Sequence, residues 1–316
     1  MLPRWDALPG DAERCVATID SWTTALLDSG VVAAFGSAGV AGLSPSAVLD
    51  ALDVFAAAHW DFRAGRERNL ARVPEFTTAQ LAAIDSATAA LGLDGTPPPS
   101  RPRYDAVVMT GGMVRAGVVK PRYLRELADA GLDWGEGVFL GGFRPFAGDE
   151  LELAPRLGID GDNEFDAMVA GMRQAFALDF VPDAEFWGGG TGAAGWRDVL
   201  WAVDGCTLRV VAAPSSEPDV RRANTADTFR FWALRAPDVR SVLVITTPVY
   251  VPYQGAVAIE ILGLEFGLSV ETVAVSDAAS DLGPDTQLFL PHHRLQELRS
   301  AVHGMRRLRH RMVSHG

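Results

Sequence analysis

The sequence predicts a doubly wound α/β domain with a mainly parallel sheet, preceded by a helical subdomain. Two observations predict it. Five short apolar runs recur after position 103, at residues 106–109, 138–140, 208–211, 242–245 and 272–275. Several are separated by stretches with helical spacing, and unbroken apolar strands alternating with helices indicate parallel strands covered on both faces.

In chain order, residues 19–27, 46–58 and 78–91 are alanine-rich and read as helices. Ser44-Pro45 opens the second of them, with a capping hydroxyl followed by a residue whose fixed φ suits the first helical turn. The sequence TPPPSRPR at 96–103 then ends the helical regime, because consecutive prolines neither propagate a helix nor join a central strand. After it, Phe165, Met168, Val169, Met172 and Phe176 mark one helix face. Asn224 can cap a helix on which Ala226, Phe229 and Ala233 align. The glycine-rich WGGGTGAAGW at 187–196 reads as a loop. The tail carries six arginines against one glutamate, with Leu295, Leu298, Val302, Met305, Leu308 and Met312 on one helical face. It is expected to dock on the sheet. The expected division is therefore 1–95 helical subdomain or lid, 96–103 proline-rich linker, 104–291 α/β domain, and 292–316 basic amphipathic helix.

Composition narrows the function. In 316 residues, 48% hydrophobic and 22% charged, there is material for one large core or two modest ones. A formal charge of −12 disfavours nucleic acid and anionic membrane as partners. Cys15 and Cys206 stand far apart and suit a reducing compartment. No apolar run approaches the roughly 20 residues of a membrane span, and the first residues lack a signal-peptide core, so a cytoplasmic location is expected. GxSxG and HExxH are absent, five of the six histidines lie in the tail, and no metal site is evident.

Five segments could carry chemistry. Asp105 to Gly112 (DAVVMTGG) and Val138 to Gly142 (VFLGG) are strands ending in paired glycines. Gly111, Gly112, Gly141 and Gly142 would let a ligand approach the backbone beyond the strand ends, where open α/β sheets bind ligands. Arg115 and Lys120 follow and could supply positive charge, although isolated surface cations are the commoner outcome. Glu164 opens the helix after Gly161-Asp-Asn; it is either one acid of a capped start, with Asp162 or Asn163 as cap, or a base facing the site. Asn224 and Thr225 suit a helix N-terminus, which can also hold an anion. Thr246, Thr247, Tyr250 and Gln254 place polar groups after a buried strand, as pocket linings do.

The ordered set strand-Gly-Gly, strand-Gly-Gly, helix-opening Glu164, Asn224-Thr225 and Thr246-Thr247-Pro-x-Tyr250 resembles the YdcF/SanA/ElyC-like family over roughly residues 104–277. The resemblance implies a Rossmann-like fold and points to S-adenosylmethionine binding. The chain departs from the family pattern at residues 225–228, where the acid is Asp227. It departs again at Val251 and Gln254, near where the family often has a histidine and an arginine.

The leading expectation is an enzyme of transferase or hydrolase type. It would bind a nucleotide-like ligand, S-adenosylmethionine among them, or a phosphorylated small molecule. Glu164 would be its catalytic residue, with the glycines, Arg115, Lys120, Asn224, Thr225, Thr246, Thr247, Tyr250 and Gln254 around the ligand. The alternative is a non-catalytic ligand-binding or regulatory protein of the same fold.

Overall fold

A computed structural model describes residues 2–62, 74–179, 181–190, 192–203 and 205–315. The chain forms two units. One gathers Met1–Thr96, Pro248–Glu260 and Leu288–Gly316; the other holds Pro97–Thr247 and Ile261–Gln287.

The first unit is helical. Helix α1 (Asp11–Asp28) buries Cys15, Ile19, Trp22 and Leu26 along one face, and the Trp22 indole donates to the Leu91 carbonyl at 3.2 Å. After the short α2 (Val31–Phe35), α3 (Pro45–His59) starts where expected, with the Ser44 hydroxyl accepting from the Ala47 amide. Helix α4 (Thr78–Ala90) opens with a reciprocal Thr77–Gln80 capping box. The tail helix α11 (Pro291–His315) packs against α9 (Val251–Ala258), α3, α1 and α4. Its apolar stripe is at most 3% exposed. Its arginines are answered by acids of this same unit: Arg309 by Asp20, Arg306 by Asp50 and Asp53, Arg294 by Asp85. The stripe is thus buried in a helical bundle, because it and its rim of cations complement the apolar and acidic faces of α1 and α3.

The second unit is built on one seven-stranded sheet of order β3-β4-β5-β2-β1-β6-β7. Strands β1 (Arg103–Thr110), β2 (Asp133–Gly141), β5 (Cys206–Ala212), β6 (Ser241–Thr246) and β7 (Ser269–Ala274) are parallel. They contain the five apolar runs, except that the last run continues one residue past β7. An antiparallel hairpin, β3 (Ala184–Gly188) and β4 (Trp196–Val203), extends one edge through β5. The glycine-rich segment is the connection of that hairpin; its Thr191 lies outside the described residues.

Helices cover both faces. On β2, Gly137 faces Leu124 of α5 (Val114–Asp129). Its neighbour Glu136 accepts from the Trp232 indole of α8 (Thr225–Ala233) at 2.8 Å. Successive strand residues point to opposite faces, so α5 and α8 lie on opposite sides. Helix α7 (Glu164–Phe176) packs on α5 through small residues. A Cβ on Gly171 would overlap the Gly117 carbonyl, and one on Gly117 would sit 2.9 Å from the Ala167 carbonyl. Pro121, inside α5, has no N–H to offer that Gly117 carbonyl. The proline-rich segment is moored to the sheet: Ser100 donates to Glu271 of β7 through its amide at 3.0 Å and its hydroxyl at 2.7 Å. Tyr104 donates to the same carboxylate; burial, and then Glu271, push the phenol up to about 12.

Candidate functional site

The strand order locates the crevice. From β1 the chain adds β2 and then β5 on one side, and later β6 and β7 on the other. The winding therefore reverses between β1 and β6, and the carboxyl ends flanking such a reversal are where open α/β sheets hold ligands. At that point the Thr110 and Thr246 hydroxyls meet at 3.1 Å, both residues being buried.

Lys120, from the second turn of α5, reaches the same place. It is fully buried, and its ammonium donates to the Thr110 carbonyl, to the Thr110 hydroxyl at 3.0 Å and to the Gly111 carbonyl at 3.1 Å. Burial lowers its pKa to about 7, against the opposing pull of the Glu164 charge. Lys120 thus forms the floor of the β1 end rather than an isolated surface cation, because α5 presents position 120 on the same face as Ala116, Tyr123 and Leu124.

Glu164 ties the two glycine-rich strand ends together. Its Oε1 accepts the Gly112 amide at 2.6 Å and its Oε2 the Gly142 amide at 3.3 Å. Capping of α7 falls to Asn163, whose Oδ1 accepts the Phe165 and Asp166 amides. The two readings of this helix start thus belong to different residues, and Glu164 turns to the strand ends. Burial raises its pKa; the Arg144 charge, the two amides and Lys120 oppose that rise. Arg144 grips Glu150 with both terminal nitrogens at 2.7 Å and donates to the Gly112 carbonyl at 3.3 Å. Glu150, 1% exposed, also accepts the Val114 amide, which joins the loop after β2 to the start of α5.

None of the four glycines has positive φ; each matters for space. A Cβ on Gly111 would overlap Glu164, one on Gly112 would lie 2.8 Å from Ala116, and one on Gly141 would lie 2.8 Å from Met168. These three make room for the protein's own side chains. At Gly142 the nearest atom would be Glu164 Oε2 at 4.0 Å, so open space is found there.

The other expected residues fall into four groups. Arg115 is drawn toward residues 285–287, donating Nε to the Asp285 carbonyl at 2.7 Å and pairing with Asp149. Asn224 and Asp227 form a reciprocal capping box at α8, and Arg221 pairs with Asp227. Thr225 is the first residue of that helix, and Thr247 follows β6 half-buried. Tyr250 and Gln254 belong to the helical unit, where the Tyr250 ring meets Phe289 edge-on. Thr110 and Arg144 were not singled out from sequence. Thr110 was legible as the only hydroxyl ending the first apolar run, whereas Arg144 had no local signal. Among the described residues no cluster of three histidine, cysteine or acidic side chains is arranged to hold a metal, and no helix is long and apolar enough to cross a membrane.

Fold and site define an α/β protein with an ionisable cluster at the sheet's topological switch point and a helical unit assembled from three chain segments. Over 322 aligned residues it is 30% identical to the uncharacterized protein Rv3785 of Mycobacterium tuberculosis and equally to the uncharacterized protein Mb3814 of Mycobacterium bovis. Each alignment covers 93% of this chain and 89% of the relative. The chain belongs to the Rv3785 family. The family model for the Rv3785 N-terminal domain matches residues 6–92, the stretch that forms α1 to α4. No solved structure matches the chain.

Proposed function

We propose that the protein is an enzyme of transferase or hydrolase type that binds a nucleotide-like or phosphorylated small molecule beyond the ends of β1, β2 and β6. The observation carrying this reading is Glu164: a carboxylate pinned by one amide from each glycine-rich strand end, with burial raising its pKa, beside the reversal of strand order. A carboxyl so tuned can take a proton from a ligand hydroxyl and return it. Oε2 is the oxygen more loosely held and the one facing the open space at Gly142. Lys120 and Arg144 keep the carboxylate compatible with burial and hold the loops in place. S-adenosylmethionine enters as a candidate through the YdcF-like order of motifs, and a reducing, cytoplasmic setting through the two separate cysteines.

A non-catalytic binding role is favoured by one feature. Both Glu164 oxygens and all three Lys120 protons are already matched within the protein, as in a site built for order. Native mass spectrometry of freshly purified protein should detect a retained small molecule. Thermal shifts against S-adenosylmethionine, adenine nucleotides and phosphorylated sugars should then identify its class. Gly142→Val has room to fold and should abolish that binding; binding equal to wild type would move the site elsewhere. On the ligand so found, Glu164→Gln should lower turnover by roughly 10²–10⁴-fold. Wild-type turnover in that variant would leave the binding role.

A further inference from the structure

The basic tail carries a second feature, lying wholly within the helical unit and independent of the strand-end reading. The last turns of α11 line a pocket of about 370 Å³ with Arg306, Arg307, His310, Arg311 and Ser314, and with Glu260. Three guanidiniums thus face one carboxylate. That carboxylate is 3% exposed and engaged by Arg307 Nη2 at 2.8 Å.

Arg306 and Arg307 are held in place without being used up. Arg306 gives Nε to Asp50 at 2.5 Å and Nη1 to Asp53 at 3.3 Å. Among the described residues, its Nη2 and both Nε and Nη1 of Arg307 have no acceptor. A guanidinium fixed by one ion pair loses little further freedom when its remaining donors bind, and its planar fork matches a tetrahedral oxyanion. The Ser314 hydroxyl donates to the His310 carbonyl at 2.8 Å, which leaves its lone pairs to accept from a protonated phosphate oxygen. The volume lies at the lower end of the roughly 300–1,000 Å³ typical of small-molecule pockets, which suits a phosphate ester.

We infer that this pocket binds the phosphate of a small molecule, with Arg306, Arg307 and Arg311 as the anion-holding residues. Calorimetric titration of the full chain with inorganic pyrophosphate, adenosine 5′-monophosphate and adenosine tests it. Pyrophosphate and the monophosphate should bind and adenosine should not; binding of pyrophosphate alone would make the occupant a free phosphate rather than an ester. Arg307→Lys keeps the partner of Glu260 but removes the two open donors. Ser314→Glu adds an opposing charge at an exposed position, where folding is not at stake. Each should weaken binding at least about tenfold, since charge-assisted hydrogen bonds are involved. Arg125→Gln, which breaks an exposed pair with Asp129 elsewhere on the surface, should change nothing. Absence of phosphate binding, or equal binding in Arg307→Lys and Ser314→Glu, would overturn the inference.

Discussion

Replacing Lys120 by methionine gives a test with a signature of its own. The fall of the Lys120 pKa from 10.5 to about 7 corresponds to roughly 5 kcal/mol of preference for the neutral amine in the folded protein. Its folded value is depressed, so the unfolded chain holds more protons between those two values and wild-type stability climbs as pH rises through that window. Below about pH 7 the cost of burying the ammonium is fully present. Methionine is also unbranched and only one atom shorter, removes that cost at every pH, and strips one partner from the Thr110 carbonyl, the Thr110 hydroxyl and the Gly111 carbonyl. At a net of about 0.5–1.5 kcal/mol each, those losses total roughly 2–4 kcal/mol. Near pH 6 the burial cost exceeds those losses and the variant should be the more stable by about 1–3 kcal/mol. By about pH 10 the amine is neutral and donates at most two of those bonds, so the wild type should lead by roughly 1–3 kcal/mol. Urea unfolding followed by circular dichroism across this range reads the difference directly. The buried Tyr104 and Cys15, both pushed up to about 12, titrate in both proteins and drop out of it. A wild-type-minus-variant difference that stays flat with pH would refute the account of Lys120 as a buried, desolvated base.

Gly171→Ala places a methyl against the Gly117 carbonyl at the α5–α7 crossing and should cost about 1–3 kcal/mol, seen as a lower melting temperature; an unchanged Tm would mean the helices are free to separate. Arg209→Met should cost roughly 3–5 kcal/mol, because it abandons Asp198, 5% exposed, and Glu136 on the sheet. These two carboxylates raise the Arg209 pKa despite its burial; recovery by Asp198→Asn in the same chain would support that cause, and no recovery would count against it. A chain beginning at Pro97 removes α1 to α4 from the stripe of α11. The stripe then keeps only α9 as a helical neighbour and its six apolar side chains, at about 1.5–3 kcal/mol for each fully buried, become partly exposed, so this fragment should bind a hydrophobic dye and melt with reduced cooperativity. A sharp melt would show that α11 does not depend on the N-terminal helices.

The parallel strands were legible because burial on both faces leaves an apolar run with nothing to confuse it. The hairpin was not, since Arg197 and Asp198 interrupt β4 near the sheet's edge and the apolar run there is broken. Glu164 was legible as an acid of a start capped by Asp162 or Asn163 or as a group facing the site; Asn163 is the cap, and the bonds of Glu164 to the Gly112 and Gly142 amides had no local signal. Lys120 illustrates a different limit: its charge argued for the surface while its register with Ala116, Tyr123 and Leu124 argued for the core. Nothing local states which wins, because the decisive acceptors belong to a strand ten residues earlier. The tail's period and charge were both visible, but its partners lie more than 200 residues away in the chain.

That separation has a consequence for how the chain is made. Helices α1 to α4 leave the ribosome with half-finished faces, since α9 and α11 are synthesised only after most of the sheet. A unit completed by segments made after most of the sheet cannot fold in the order of translation. Until α9 and α11 have been made, the apolar sides of α1 and α3 lack their final neighbours, which leaves the newborn stretch exposed to aggregation.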